Sequence, residues 1–210
     1  MKVKLRKTFI NATILPAILI SLITPLFSWA EMSTETLKRG VELANSGKYK
    51  KALDLYNEVI DADPSIAHAY TYRSLALIQL GRLEGAIKDS KKAMELSQER
   101  GVKLLSLSNL GTAYLKKAKY ELAVSAFEEL LTLDKNDPIP YFLLGESFKG
   151  IGGEEFLKKA DESYTNAIEI DDTYALAYYF RAGVRQKIGD EAGAKEDFKT
   201  ACELDASLCR

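Results

Sequence analysis

The 210-residue chain has the composition of a globular protein, with 47% hydrophobic and 28% charged residues. Its 29 basic residues are unevenly placed, because four of them lie within residues 1–7 and no acidic residue precedes Glu31. Residues 31–210 therefore carry 25 basic and 30 acidic residues, a net charge of −5. This balance argues against nucleic acid as a partner, since its binders need a basic face, and against docking on an anionic membrane surface.

Residues 1–30 have the pattern of a secretory signal peptide. The basic stretch 1–7 is followed by uncharged, mostly apolar residues at 8–30, and Ser28 and Ala30 place small side chains before a cleavage site at Glu31. The alternative is an uncleaved anchor, because the uncharged stretch is long enough for one transmembrane helix. Both interpretations predict that residues 31–210 lie outside the cytoplasm, either periplasmic or secreted, or attached to the membrane only through the N-terminal segment.

The rest of the chain is built from segments that recur about every 34 residues, with three-residue insertions near 98–103 and 153–158. Five segments are predicted: 33–66, 67–103, 104–137, 138–174 and 175–208. Each has a small residue in a first helical stretch, namely Gly40, Ser74, Gly111, Gly145 and Ala182. Each has an alanine in a second helical stretch, namely Ala52, Ala86, Ala123, Ala160 and Ala194. The residues four positions after these alanines are Tyr56, Ser90, Phe127, Tyr164 and Phe198.

Each recurring position has a steric explanation. Small residues allow two helices to cross closely, and an aromatic ring four residues after the alanine lies on the same helical face and fills the groove between helices. Glycines such as Gly81 favour the end of the first helix, and Pro64 prevents continuation of the second.

These segments resemble the tetratricopeptide repeat (TPR) family over about 175 residues. The resemblance implies an all-α fold, a right-handed solenoid of about five helix–turn–helix repeats. It also implies that the first helix of each repeat, helix A, lines a concave groove. The insertion in the fourth repeat predicts a longer connection or a longer second helix, helix B.

Carried over by position, one stripe of each helix A faces this groove. The candidate partner-binding residues are Tyr72, Leu75, Gln79, Ser108, Asn109, Thr112, Phe142, Glu146, Tyr179 and Gln186. The same stripe includes Leu37, Val41, Asn45, His68, Thr71, Leu105, Lys116, Ile139, Leu143, Lys149, Phe180, Gly183 and Lys187. A mixed apolar and polar stripe of this kind predicts binding of an extended peptide or an amphipathic helix. The alternative is that the Tyr and Phe members pack against the adjacent repeat.

A chaperone-binding subclass of the family holds a C-terminal carboxylate with Lys and Asn side chains. The corresponding positions here are Thr71, Leu75, Asn109, Ile139 and Leu143. Only Asn109 fits that pattern, so this clamp is predicted to be absent.

The chain contains no recognisable catalytic, metal-binding or cofactor-binding constellation. Its one histidine, His68, begins a helix A between two alanines, and no His/Cys cluster has the spacing of a metal site. The residues 150–153 lack the Lys-Ser/Thr ending of a phosphate-binding loop. The sequence therefore predicts neither enzyme activity nor a bound cofactor or metal.

Cys202 and Cys209 are the only cysteines. An exported protein can form a disulfide, but seven residues of continuous helix would separate the two Cα atoms by about 10.5 Å, too far for a bridge. A Cys202–Cys209 disulfide therefore requires the chain to turn back after about Asp205. The alternative is a buried Cys202 with Cys209 free or paired between chains.

Taken together, these features predict a non-catalytic scaffold outside the cytoplasm that docks a protein or peptide partner in the concave groove. The alternatives are a protein that self-associates by stacking its terminal repeats into homo-oligomers, because solenoid ends need polar caps, and an accessory subunit of an enzyme.

Overall fold

The computed structural model describes residues 31–209. The predicted signal peptide or anchor at 1–30 lies outside the described residues, as does Arg210. Within 31–209 all regular secondary structure is helical: α1 covers 31–45, and it is followed by α2 (Tyr49–Ala62), α3 (Ala67–Gln79), α4 (Leu83–Leu96), α5 (Arg100–Lys116), α6 (Tyr120–Leu133), α7 (Pro138–Ile151), α8 (Glu154–Ile170), α9 (Ala175–Lys187), α10 (Glu191–Leu204) and a short 3₁₀ helix (Ala206–Cys209).

The helices form consecutive A/B pairs, and each helix packs mainly against the helices before and after it in the chain. The A helices also contact one another across repeats, α3 with α5 and α5 with α7. This arrangement is an α-solenoid and confirms the predicted fold class. No helix within residues 31–209 is long and apolar enough to cross a membrane.

The recurring small residues lie where an aromatic ring of helix B presses on helix A. A methyl group added to Gly111 would stand 2.6 Å from the Phe127 ring, and one added to Gly145 would stand 2.6 Å from the Tyr164 ring. Both rings are fully buried. A larger side chain at either glycine would therefore push the two helices of its repeat apart.

The insertion in the fourth repeat lengthens its second helix. The helix α8 has 17 residues, whereas α6 and α10 have 14. The connection between α7 and α8 remains short, with Gly152 and Gly153 at φ of 78° and 84°. These positive angles favour glycine, because a side chain would be strained there.

Buried ion pairs join three helices at two places in the solenoid. In the second repeat, Arg73 of α3 donates two hydrogen bonds to Asp89 of α4, at 2.6 and 2.8 Å, and a third to Asn57 of the preceding repeat at 2.8 Å. Asp89 is almost fully buried. The first and second repeats are thus connected by a directional polar contact as well as by apolar packing.

The fifth repeat has the same arrangement. Arg181 donates to Asp197 at 2.8 and 2.7 Å and to Thr165 of the preceding repeat at 2.9 Å. The residue spacing equals that in the second repeat, since the acid follows the arginine by 16 positions in both. The repeat-based prediction did not single out these pairs, although the shared spacing is visible in the sequence.

Candidate functional site

The candidate groove residues lie on the A helices of the second to fifth repeats, but they differ in accessibility. Leu75, Gln79, Tyr179 and Gln186 are exposed. A second group is only half-buried, namely Tyr72, Ser108, Thr112, Phe142 and Glu146. Asn109 is buried. Accessibility therefore separates the residues that can meet a partner from those that join the repeats.

Asn109 connects two A helices. Its side-chain amide donates a hydrogen bond to the backbone carbonyl of Thr71 at 3.0 Å. Close by, the hydroxyls of Thr71 and Ser106 lie 3.1 Å apart. Because Asn109 is buried and this contact joins α5 to α3, its role is structural rather than one of partner recognition.

Phe142 belongs to an aromatic cluster between the fourth and fifth repeats. Its ring centroid lies 5.7 Å from that of Tyr164, 5.3 Å from Tyr174 and 5.5 Å from Phe180. These separations are typical of packed aromatic pairs. Substitution of Phe142 would therefore disturb repeat packing as well as any surface contact.

Glu146 is committed to intramolecular contacts. Its carboxylate accepts hydrogen bonds from the Lys149 ammonium and from the hydroxyl of the buried Tyr164. Burial, followed by the nearby Glu146 charge, raises the pKa of Tyr164 far above its usual value, so the phenol remains a donor.

Tyr72 also packs within the protein, since its ring centroid lies 6.1 Å from that of Tyr56.

The accessible part of the stripe contains a row of aliphatic side chains. Leu105, Ile139 and Leu176 are the second residues of the third, fourth and fifth repeats, and their side chains are 48%, 51% and 40% exposed. Leu75 of the second repeat, 41% exposed, lies further along its own helix A. We refer to Leu75, Leu105, Ile139 and Leu176 as the aliphatic row. Leu176 was missed in the sequence, although its position in the repeat matches those of Leu105 and Ile139.

Tyr179 and Gln186 lie at the C-terminal end of the solenoid. They help to line a concave pocket of about 430 Å³ between α9 and α10. These two residues are thus separated from the central groove residues of α3 and α5 by the intervening repeats.

His68 has structural neighbours that do not form a catalytic arrangement. Its Nε2 lies 3.7 Å from a Glu99 carboxylate oxygen, and its ring centroid lies 6.2 Å from that of Tyr72. Among residues 31–209, no group of His, Cys, Asp and Glu side chains could hold a metal ion.

The chain turns back after α10, as a bridge between the two cysteines requires. The helix ends at Leu204, and the 3₁₀ helix that follows brings the Cα atoms of Cys202 and Cys209 to 5.3 Å. This separation lies within the range found for disulfides.

Comparison with known proteins relates the chain to a family of repeat proteins. Models described as tetratricopeptide repeat match residues 37–94, 106–141 and 175–208. Hsp70-Hsp90 organizing protein 1 of Glycine max is 27% identical over 203 residues, which cover 80% of this chain but 36% of that protein. The chain therefore corresponds to only part of this relative.

Solved structures share the fold. MamA from Desulfovibrio magneticus RS-1 superposes with a TM-score of 0.73 at 21% identity, covering 83% of this chain and 96% of that one. YrrB, described as a TPR protein with an unusual peptide-binding site, superposes with a TM-score of 0.65 at 21% identity, covering 82% and 87%. Because tetratricopeptide repeat models match three segments of the chain and residues 31–209 form A/B helix pairs, the chain belongs to the tetratricopeptide repeat family.

Proposed function

We propose that the protein is a non-catalytic binding scaffold that acts outside the cytoplasm and docks a peptide or helix of a partner protein in its concave groove. The observation that carries this proposal is the aliphatic row, which places exposed apolar side chains on four successive repeats. Exposed apolar side chains that recur on one set of helices are a candidate interaction site. The names of two relatives agree with it, since one organises chaperones and the other has a peptide-binding site.

The groove offers polar contacts beside the aliphatic row. Gln79 is exposed, and Ser108 and Thr112 are partly accessible on the neighbouring α5. Apolar side chains of a partner would supply most of the binding energy, whereas amides and hydroxyls would determine its register. Asn109, Phe142 and Glu146 would support this surface from beneath through their contacts between and within repeats.

A matched crosslinking experiment tests the groove. A photoreactive side chain at position 105 or 139 of the full chain is expected to give a specific adduct with a partner protein in intact cells. Position 122 serves as the control, because Leu122 is 46% exposed but lies on the helix B α6. Substitution of Leu75 and Leu176 with serine should then reduce the adduct by about tenfold, because loss of two buried leucine contacts exceeds the free-energy change of a tenfold effect.

Two results would contradict the proposed groove. One is an equally strong and specific adduct from position 122. The other is an adduct from positions 105 and 139 that is unchanged when Leu75 and Leu176 are replaced.

The proposed location rests on the signal-like pattern of residues 1–30 and on the paired cysteines. We expect Cys202 and Cys209 to form a disulfide, because export transfers the chain to a compartment where thiols oxidise. The bond would fasten the residues after α10 to that helix and protect the end of the solenoid from fraying.

Thiol alkylation without reductant, followed by mass spectrometry, tests both the bond and the export. The full chain is expected to be unmodified at both cysteines, whereas a chain lacking residues 1–30 should be retained in the cytoplasm and alkylated twice. Free thiols in the full chain would contradict the disulfide, and a bridge in both chains would contradict its dependence on export.

A further inference from the structure

The fifth repeat has a face that no other helix of residues 31–209 covers, unlike the corresponding faces of the earlier repeats. We call it the end face and define it by Tyr179, Gly183, Gln186, Glu191, Lys195 and Phe198, which surround the pocket of about 430 Å³. In the preceding repeats the corresponding face is covered by helix A of the next repeat, as α9 covers α8. Within residues 31–209 no helix covers the end face.

The fourth repeat shows what such a face accepts. Its Phe142 and Tyr164 rings lie 5.7 Å apart at an angle of 50°, and Phe180 from the next helix A packs on them at 5.5 and 6.5 Å. Tyr179 and Phe198 hold the same repeat positions and form a similar pair, 6.0 Å apart at 43°. Phe198 is 43% exposed, whereas Tyr164 is fully buried. Phe180 of the same helix lies 5.6 Å from Tyr179. Within residues 31–209, however, no ring from a following helix A packs on the Tyr179–Phe198 pair.

Gly183 leaves open space on the end face. It holds the repeat position of Glu146, and a methyl group built on it would meet no other atom within 4 Å. Glycine within a helix lowers stability relative to alanine. The packing of this repeat does not require a glycine at this position, and the glycine leaves open space there.

Two lysines of α10, Lys195 on the end face and Lys199 next to Phe198 in the chain, indicate the chemistry of the occupant, although Glu191 also lies on this face. Where α9 packs on α8, Arg185 pairs with Asp161 at 2.8 Å and Arg181 donates to Thr165 at 2.9 Å. The repeat positions of Asp161 and Thr165 are held by Lys195 and Lys199 in α10. A helix that docks on the end face in the same orientation would therefore place acidic residues where α9 has its arginines.

The helix α1 of a second copy does not fit this face. The positions at which α9 buries Ala177 and Val184 are held in α1 by Glu35 and Glu42, both exposed. At the position of Arg181, α1 has Arg39, which would approach Lys199. Burying two carboxylates against an aromatic pair and opposing two cations both disfavour head-to-tail stacking.

The 3₁₀ helix follows α10 at the repeat positions that connect α8 to α9. Asp205 accepts a hydrogen bond from the Ser207 amide at 2.9 Å, just as Asp171 accepts one from Thr173 at 3.0 Å before α9 begins. Residues 206–209 therefore hold the repeat positions of 172–175, the connection that precedes α9.

We propose that the end face binds an amphipathic helix of a partner protein, with an aromatic residue in the pocket, acidic residues one and five positions after it, and a small apolar residue four positions after it. This site goes beyond the proposed groove, since it lies on the end of the solenoid and is formed by both helices of the last repeat.

A peptide derived from this chain can act as the probe. It has the sequence of residues 176–190 with Arg181→Glu and Arg185→Glu and carries a fluorescent label. Titration with the full chain, followed by fluorescence anisotropy, is expected to show saturable binding. A peptide that also carries Phe180→Ala should bind at least about tenfold more weakly, because the lost aromatic burial exceeds the free-energy change of a tenfold effect.

Two variants of the protein locate the binding site. Gly183→Leu should fill the pocket and weaken binding at least about tenfold while the chain stays folded, because the second repeat has Leu75 at this position. Lys195→Glu should weaken binding of the probe peptide, which carries Glu at positions 181 and 185, about fivefold, since one exposed ion pair contributes up to about that factor. The same variant should strengthen binding of a second peptide that has only Arg181→Glu and therefore keeps Arg185.

The outcomes are decisive in both directions. Weakening by Gly183→Leu together with the reversed preference of Lys195→Glu supports the end face. Absence of saturable binding, or binding unaffected by Gly183→Leu, contradicts it. Binding that is lost in a Leu105→Ser, Ile139→Ser variant but retained in Gly183→Leu would place the peptide in the groove and also contradict the proposal.

Discussion

Replacing Arg73 with alanine is expected to lower the free energy of unfolding by about 3–5 kcal/mol, because it leaves a buried carboxylate without its cation. Asp89 is 3% exposed, and Arg73 is the cation that pairs with it. The contact of Arg73 with Asn57 of the first repeat is lost as well. The hydrogen bond to Asp89 raises the pKa of Arg73, which agrees with a strong charge-assisted contact.

Arg181→Ala is the matched control for this prediction. Asp197 is equally buried, but Arg185 also donates to it, at 3.0 Å. The carboxylate therefore keeps one cation when Arg181 is removed, and we expect a smaller loss than for Arg73→Ala. Urea unfolding followed by circular dichroism measures both. Equal losses in the two variants would contradict the explanation based on an unpaired buried charge.

A double variant separates the charge effect from packing. Replacing both members of a buried ion pair with apolar residues removes the desolvation cost together with the attraction. Arg73→Met combined with Asp89→Leu should therefore be more stable than Arg73→Ala alone. A double variant that is less stable than Arg73→Ala would show that packing, and not the unpaired charge, causes the loss.

Replacing Phe127 with alanine is expected to destabilise the protein by about 3–5 kcal/mol, because it removes a fully buried ring and leaves a cavity. The ring packs so closely on α5 that Gly111 has no room for a side chain. The glycine backbone would remain exposed to the cavity, and relaxation could close it only by moving α5 toward α6.

Phe198→Ala provides the comparison, because Phe198 holds the same repeat position but is 43% exposed on the end face. We expect it to cost about 1 kcal/mol, in proportion to the smaller apolar area that it buries. Amide hydrogen exchange would show whether the effect of Phe127→Ala extends to the neighbouring repeats. A Phe198→Ala cost as large as that of Phe127→Ala would contradict the open character of the end face.

Much of the architecture could be predicted from residues that recur in one chain. Small residues such as Gly111 and Gly145, each paired with a ring four residues after an alanine, act within a single repeat, so their spacing alone predicts the A/B crossing. Whether the insertion near Gly153 would lengthen a loop or a helix was open in the sequence, because both accommodate three residues. The structure shows a longer α8.

The candidate site was predicted only in part. Repeat position specifies the side of helix A on which Asn109 or Phe142 lies, but it does not specify whether a neighbouring repeat covers that side. Asn109 joins α3 to α5, and Phe142 packs against rings from α8 and α9. The exposure of Leu176 depends on the packing of α9 against its neighbours, which repeat position alone does not specify.

The sequence by itself determined the repeat, the helical class and the pairing of small residues with rings, because these depend on contacts between residues close in the chain. It also contains the signal-peptide-like pattern of residues 1–30 and the two cysteines. Only the tertiary structure decided which stripe residues stay accessible, how Arg73 and Arg181 connect successive repeats, and that the last repeat has an open aromatic pair. These properties depend on which part of the chain covers each face. The contacts that cover a face join different repeats, and they are seen only in the tertiary structure.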